Sequence, residues 1–388
     1  MAVIKEKLWT KEFLFISLIN FIITLMFYLL IVTIASYAQS EYGATTSTAG
    51  LVSSIFIIGS LIGRLGAGRV IGNIGTQKTL WIGLLFFTIT SALYFATFNI
   101  GLLIVNRLLQ GIAVGIAGTA TGTIIAQILP NTRKGEGIGY YSLSAILATA
   151  IGPFLGILLL KMEGGFQWIF AMNVVLSVVC LIIYAIVKIE VPLPKFPNQD
   201  MEKSSFISKF IEPRAIPISF VALLIGFSYS GVMSFLSFYA DEINLVSAAS
   251  YFFLIYAIVV IFSRPFTGKL MDTRGANIVT YPCLVLFAIG MFLFSQATAG
   301  WMLLLAAALI GIGYGNFTSV AQAVAIKETP RERMGLATST FFILYDIGLG
   351  FGPYVLGKLV PAFGYRTIFE WMVVVIVISI ILYYFFLF

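Results

Sequence analysis

Asp346 and Arg107 are the acid and the base of this chain that stand well inside long apolar runs, and what each can do there frames the reading of everything around them. Asp346 lies midway between Arg333 and Lys358, beside Tyr345 and ahead of Gly348, Gly350 and Gly352. A carboxylate ionised at membrane depth costs on the order of several kcal/mol unless it is paired or hydrated. Asp346 therefore either holds a permanent partner and fixes its glycine-rich helix, or takes up and releases a proton. Arg107 sits about 9 Å inside the start of its apolar run, counting 1.5 Å per helical residue. Three roles are open to it: bonding to backbone carbonyls, snorkelling to the surface, or moving charge.

Composition removes most other chemistry. The 388 residues are 60% hydrophobic and 10% charged, with a mean hydropathy of +1.03, which is outside the range of soluble domains. The chain contains no histidine, so zinc-histidine sites, histidine acid-base catalysis and histidine proton switches are excluded. Cys180 and Cys283 both fall in apolar runs, which suits neither a disulfide framework nor a thiolate metal site. No Walker loop is present to drive movement with a nucleotide. We expect no enzyme activity, no metal and no cofactor. The net charge of +7 is a matter of membrane topology and not of nucleic-acid binding.

Twelve helical spans position these residues, at about 13–38, 48–70, 77–97, 101–127, 136–160, 166–188, 216–238, 247–270, 277–297, 300–326, 334–360 and 366–387. Each is long enough for about 30 Å of hydrocarbon, and none shows the strict alternation of a barrel strand. The spans repeat at an offset of 200 residues: Arg64, Gly68 and Gly75 recur as Arg264, Gly268 and Gly275, and Gly111 and Gly115 as Gly311 and Gly315. Pro130, Arg133 and Gly135 recur as Pro330, Arg333 and Gly335, and Gly152-Pro153 as Gly352-Pro353. An ordered series with two arginine pairs and two proline pairs indicates duplicated units. The expected fold is an all-α polytopic membrane protein of two pseudo-symmetric six-helix bundles, 1–188 and 216–388, joined by a linker at 189–215. Two parallel copies of a bundle are the layout of secondary transporters, with the substrate path between them.

Lysines and arginines orient the chain. With the N-terminus inside, 19 of the 23 basic residues fall in the N-terminal arm, the even-to-odd loops or their flanks, while Lys161, Lys358 and Arg366 lie outside and Arg107 within a span. That bias places both termini in the cytoplasm. Lys5, Lys7 and Lys11 precede a run too long for a signal peptide and lacking an evident cleavage site, so it is expected to remain as span 1. Lys195, Lys203, Lys209 and Arg214 mark the linker as a solvated cytoplasmic segment or a lipid-headgroup contact.

Three motifs carry more than topology. The loop between spans 2 and 3 reads Gly68-Arg69-Val70-Ile71-Gly72-Asn73-Ile74-Gly75, and its repeat reads Gly268-Lys269-Leu270-Met271-Asp272-Thr273-Arg274-Gly275. Span 4 carries Arg107-Leu108-Leu109-Gln110-Gly111, followed by Gly115, Gly118 and Gly122 along one packing face. Span 5 carries Gly152-Pro153-Phe154-Leu155-Gly156, where proline bends the helix and glycine admits a close neighbour.

In their order, and with the duplicated halves, these motifs make the chain resemble the major facilitator superfamily, and more narrowly its twelve-span drug:proton antiporter group. The family pattern has an acid where Gly72 stands, so the second copy, with Asp272, is the more complete. The span 5 motif departs from the fullest antiporter pattern because Ile157 follows Gly156. The resemblance implies that Arg107 faces the central cavity and takes part in proton coupling, while the depth of Asp346 in its span makes it the candidate proton relay. It also implies a conformational latch of Arg64, Gly68, Gly75, Arg264, Gly268, Asp272 and Arg274, in which Asp272 accepts from helix N-terminal amides or pairs with an arginine; an ordinary charged turn is the alternative. Gly152, Pro153, Gly156, Gly352 and Pro353 supply bends and packing. Glu136 opens span 5 as a cap or an ion-pair partner.

The first and fourth spans of each half line the path in the resembled family. Polar stripes there are Asn20, Thr24 and Tyr28 on span 1, Ser230, Ser234 and Ser237 on span 7, and Asn316 and Ser319 on span 10, with Gln110 and Tyr229 beside them. The expected function is proton-coupled export of small amphipathic compounds by antiport; the other reading is transport of a specific metabolite, siderophore or sugar-like compound. Partners would be the small-molecule substrate, protons and membrane lipid, with one chain sufficient, in the cell membrane of a bacterium.

Overall fold

The computed structural model describes residues 7–160, 162–187 and 210–387. Every described regular element is a helix, as apolar segments in lipid require, because a helix satisfies its backbone hydrogen bonds internally. The first six spans are α1 (Lys11–Ile31, resuming at Ile34–Tyr42 after a break), α2 (Thr46–Ile74), α3 (Thr76–Ala92), α4 (Ile100–Ile128), α5 (Lys134–Leu160) and α6 (Gly165–Ile186). The second six are α7 (Ile216–Glu242), α8 (Phe252–Arg274), α9 (Asn277–Ser295), α10 (Gly300–Lys327), and α11 and α12, which share the run Met334–Leu387 and are divided at Gly364. The chain is thus a twelve-helix polytopic membrane protein. The expected linker lies outside the described residues as far as 209, and so do Lys5, Lys161, Lys195, Lys203 and Lys209.

Local chemistry sets the helix ends. Thr10, Thr45 and Asn99 cap α1, α2 and α4 by accepting from Phe13, Thr48 and Leu102 amides at 3.2, 3.3 and 2.9 Å. The α2–α3 and α8–α9 connections each turn on one glycine, Gly75 (φ 84, ψ 160) and Gly275 (φ 90, ψ 167). That region of backbone space is closed to residues with a Cβ, so the matched pair is fixed by geometry. Gly364 adopts the same conformation (φ 75, ψ 162) and ends α11.

By contact the chain separates into two units: Met1–Pro130 with Tyr141–Ile211 and Pro330–Ser339, and Asn131–Tyr140 with Glu212–Thr329 and Thr340–Phe388. In the first unit α2 and α4 interlock through glycines: a Cβ on Gly111 would strike Phe56 O, one on Gly115 Ser60 O, and one on Gly59 Leu108 O. Gly152 brings α5 onto α1, where a Cβ would lie 2.7 Å from Tyr28 Cβ. In the second unit Gly348 and Gly352 bring α11 onto α7, where added Cβ atoms would strike Leu223 O and Ser230 Oγ. Large apolar side chains such as Phe98, Phe154, Phe262, Phe266 and Trp301 point outward, the surface a lipid-embedded helix presents.

Candidate functional site

In the first unit α4 carries Arg107, fully buried, into a neutral polar nest. Its Nε donates to Val52 O at 3.3 Å, and its Nη1 donates to Gln110 Oε1 at 2.9 Å and to the Tyr94 hydroxyl at 3.3 Å. The Tyr94 hydroxyl donates in turn to Gln110 Oε1 at 2.5 Å. The Phe56 ring covers the guanidinium with its centroid 4.6 Å from Cζ, a cation–π contact. Arg107 therefore does not snorkel. The nest continues toward the α1–α2 turn: Thr97 Oγ1 donates to Tyr94 O at 2.9 Å, and the Tyr42 hydroxyl donates to Thr97 O.

The α1 stripe borders the same unit. Asn20, Thr24 and Tyr28 are half-buried. Asn20 is tied into a network, its Nδ2 donating to Ser144 Oγ at 2.8 Å and its Oδ1 accepting from the Tyr141 hydroxyl at 2.9 Å. Tyr141 also meets Thr121 Oγ1 at 3.0 Å, which links α1, α4 and α5.

The second unit holds Asp272 against the start of α5. Gly135 N and Glu136 N donate to Asp272 Oδ1 and Oδ2, each at 2.8 Å, so one carboxylate caps a helix N-terminus that belongs to another part of the chain. Lys327 Nζ lies 2.7 Å from Oδ1. Gly268 permits the approach, because a Cβ there would lie 2.7 Å from Glu136 Cα. Arg133 pairs with Glu136 at 2.8 Å. Arg264 is buried and donates to Gly139 O at 3.2 Å and Gly315 O at 2.6 Å; Arg274 is exposed at the end of α8. The first-unit copy of the motif has no carboxylate: Gly68 packs on Ser339, whose Oγ donates to Arg64 O at 2.6 Å.

Also in the second unit, α10 is interrupted by a π-helical turn, Gly311–Gly315. Tyr314 in that turn stacks on Tyr229 of α7 with centroids 3.8 Å apart and shares a 2.5 Å hydroxyl contact with Tyr345 of α11. Asn316 is buried between α8 and α10, bonded to Ser263 and Thr267 at 2.8 and 2.9 Å, and Ser319 bonds back to Asn316 O. Ser230 is buried and bonds to Phe227 O, whereas Ser234 is half-buried. Asp346 is half-buried, next to Tyr345 and two residues before Gly348.

The profile of the Major Facilitator Superfamily matches residues 16–315 and, in a second match, 279–388. The chain belongs to this superfamily. An uncharacterized MFS-type transporter of Methanocaldococcus jannaschii is 26% identical over 346 residues, covering 88% of this chain and 89% of the relative. The uncharacterized MFS-type transporter YhhS of Escherichia coli is 23% identical over 368 residues, covering 91% and 87%. The fold matches crystal structures of the human organic anion transporter MFSD10, with a TM-score of 0.79 at 15% identity over 96% of this chain and 100% of that one. It also matches the transporter FucP, with a TM-score of 0.78 at 16% identity over 98% and 99%. As a major facilitator the protein is a secondary transporter and not an enzyme.

Sequence reasoning passed over four members of these sites. Lys327 carries the charge beside Asp272, and Tyr94, Phe56 and Tyr141 complete the polar networks of the first unit. Position alone offered no signal for the aromatic three in a chain with 35 Phe and 18 Tyr.

Proposed function

We propose that this protein exports small amphipathic compounds across the cell membrane by proton antiport, its halves 1–188 and 216–388 alternating about the linker 189–215. In this reading both termini are cytoplasmic, the membrane is bacterial and a single chain is the working unit. The observation that carries the reading is the setting of Asp346. It is the acid placed farthest from any span end, on a helix whose next turn meets α7 backbone to backbone at Gly348. Protonating a carboxylate there removes a charge from low-dielectric surroundings, and a seam with no slack converts that change into helix movement. Asp272 is the latch in the same cycle: while it caps Gly135 and Glu136, the start of α5 is held, and its release frees the helix to move.

The test is proton flux in proteoliposomes carrying an internal pH dye, with a panel of amphipathic amines, acids and neutral compounds. The expected result is substrate-driven proton movement in the natural protein and its loss in Asp346→Asn. Intact flux and intact pH dependence in that variant would reject the assignment.

A second reading, transport of one hydroxylated metabolite, siderophore or sugar-like compound, is favoured by the directional network of Asn20, Ser144, Tyr141 and Thr121. A single strongly preferred substrate in the same panel would select it.

A further inference from the structure

Among the described residues Arg107 has neutral partners only, and the atoms left over are all donors. Of its five N–H groups, the one on Nε reaches Val52 O, and the two on Nη1 reach Gln110 Oε1 and the Tyr94 hydroxyl. Nη2 is buried and has no hydrogen-bond partner. Gln110 shows the same excess. Because a guanidinium cannot accept, Gln110 must turn Oε1 toward Arg107, and its Nε2 is then directed away; it too is buried without a partner. Each orphan donor is two bonds from the 2.9 Å Nη1–Oε1 contact, Nη2 through Cζ and Nε2 through Cδ.

A guanidinium at 0% exposure with no carboxylate among its partners is an uncompensated charge in a low-dielectric interior. The two spare donor nitrogens, Nη2 of that guanidinium and Nε2 of Gln110, suit a carboxylate, whose two oxygens each accept from charged or amide N–H groups. The side chains between the guanidinium and the α1 stripe are aromatic. Phe56 covers the guanidinium on one side and stacks on Phe27 of α1 with centroids 4.8 Å apart. Phe27 in turn lies edge-on to Tyr28, at 4.9 Å, on the half-buried polar stripe. Two stacked aromatic side chains, Phe56 and Phe27, thus stand between Arg107 and Tyr28 of the α1 stripe.

We infer that Arg107 and Gln110 form a carboxylate-binding subsite behind Phe56, and that the transported compound is an amphipathic organic anion. This rests on the reading of the protein as a transporter of amphipathic compounds and names their charge; it does not depend on proton coupling. The apolar part of the ligand lies against Phe27, Phe56 and Tyr28, and its carboxylate accepts from Nη2 and Nε2.

The test is equilibrium binding to the purified full chain in lipid nanodiscs with no pH gradient, which keeps it separate from the coupling assay. The probes are 3-phenylpropionate, radiolabelled, and the matched cation 3-phenylpropylamine as competitor. We expect the carboxylate to bind and the amine not to compete. Arg107→Gln should weaken carboxylate binding by about tenfold to a hundredfold, the span expected for losing a charged hydrogen-bond donor. Arg107→Lys, which keeps the charge but not the fork, should give a partial loss, and so should Gln110→Leu. If Arg107→Gln fails to fold, the latter two variants decide. Absence of carboxylate binding, binding of the amine instead, or unchanged carboxylate affinity in the folded variants would each overturn the inference, even where proton antiport of other compounds is intact.

Discussion

Lys327 Nζ lies 2.7 Å from the same Asp272 oxygen that accepts from the Gly135 amide. One carboxylate therefore faces a side-chain cation and a helix N-terminus together, and the two contributions differ in kind. The lysine is 29% exposed and its attraction is screened by solvent, so it contributes about 0–1 kcal/mol. The amide bonds are charge-assisted and the Asp272 side chain is only 5% exposed, so they hold the start of α5 more strongly.

Asp272→Asn should release that start. The amide of asparagine can accept from one of the two backbone N–H groups but turns a donor toward the other. The expected cost is about 1–3 kcal/mol of local stability, the range for leaving a buried donor unmet. Hydrogen exchange of a peptide covering 131–140 in nanodiscs checks it: exchange should accelerate in Asp272→Asn and change little in Lys327→Met. Equal protection in natural protein and Asp272→Asn would show that the cap does not hold the helix.

Gly268→Ala should act at the same place from the opposite side. Its Cβ would come within 2.7 Å of Glu136 Cα, and backbone cannot give way as a side chain can. Gly66→Ala is the control, since nothing lies within 4 Å of a Cβ there and alanine favours a helix by about 0.5–1 kcal/mol. Transport by Gly268→Ala should fall while Gly66→Ala transports normally at an equal or higher melting temperature. A Gly268→Ala protein with normal transport would remove the steric argument.

Gly364→Ala tests the break between α11 and α12. With φ 75 and ψ 162 the position lies in a region essentially reserved for glycine, so alanine should cost about 1–3 kcal/mol. A melting temperature unchanged from the natural protein would contradict this.

The repeat made much of this legible. Gly75 and Gly275 share a conformation only glycine adopts, and Gly152 and Gly352 each seat a helix on the first span of its half, so geometry explains why these letters stayed the same at an offset of 200. The same offset contains more than was read from it. Gly164 and Gly364 are also a pair, both at positive φ, and the short helices Asn131–Arg133 and Arg331–Arg333 correspond. Most telling, Gly72 and Gln127 stand where the second copy has Asp272 and Lys327, so both members of the ion pair change together between copies. That concerted change was visible in the letters. Arg264 is not interpretable in the same way: the resemblance places it in one latch with Asp272, yet its Nη1 and Nη2 donate to the carbonyls of Gly139 and Gly315, and no side-chain pattern announces a backbone acceptor. The nest around Arg107 was hidden for a similar reason, because Tyr94 reaches it from another helix.

Arg264 links the capped start of α5 to the π-helical turn of α10, and its loss should be felt at both. A π turn leaves carbonyls poorly served by the helix ladder, and Gly315 O is met by Arg264 Nη2 at 2.6 Å. A planar guanidinium spans two carbonyls on different elements, whereas lysine offers a single point of charge on a stem that cannot reach both. Arg264→Lys should therefore keep the fold and the net charge but loosen either 131–140 or the turn carrying Tyr314, which stacks on Tyr229 at 3.8 Å. Hydrogen exchange over 131–140 and over 311–320 measures the two ends in one experiment. Faster exchange in both segments is expected for Arg264→Met, and in at least one for Arg264→Lys. If neither segment changes in either folded variant, Arg264 is a packing residue and the link between the α5 start and the π turn does not exist.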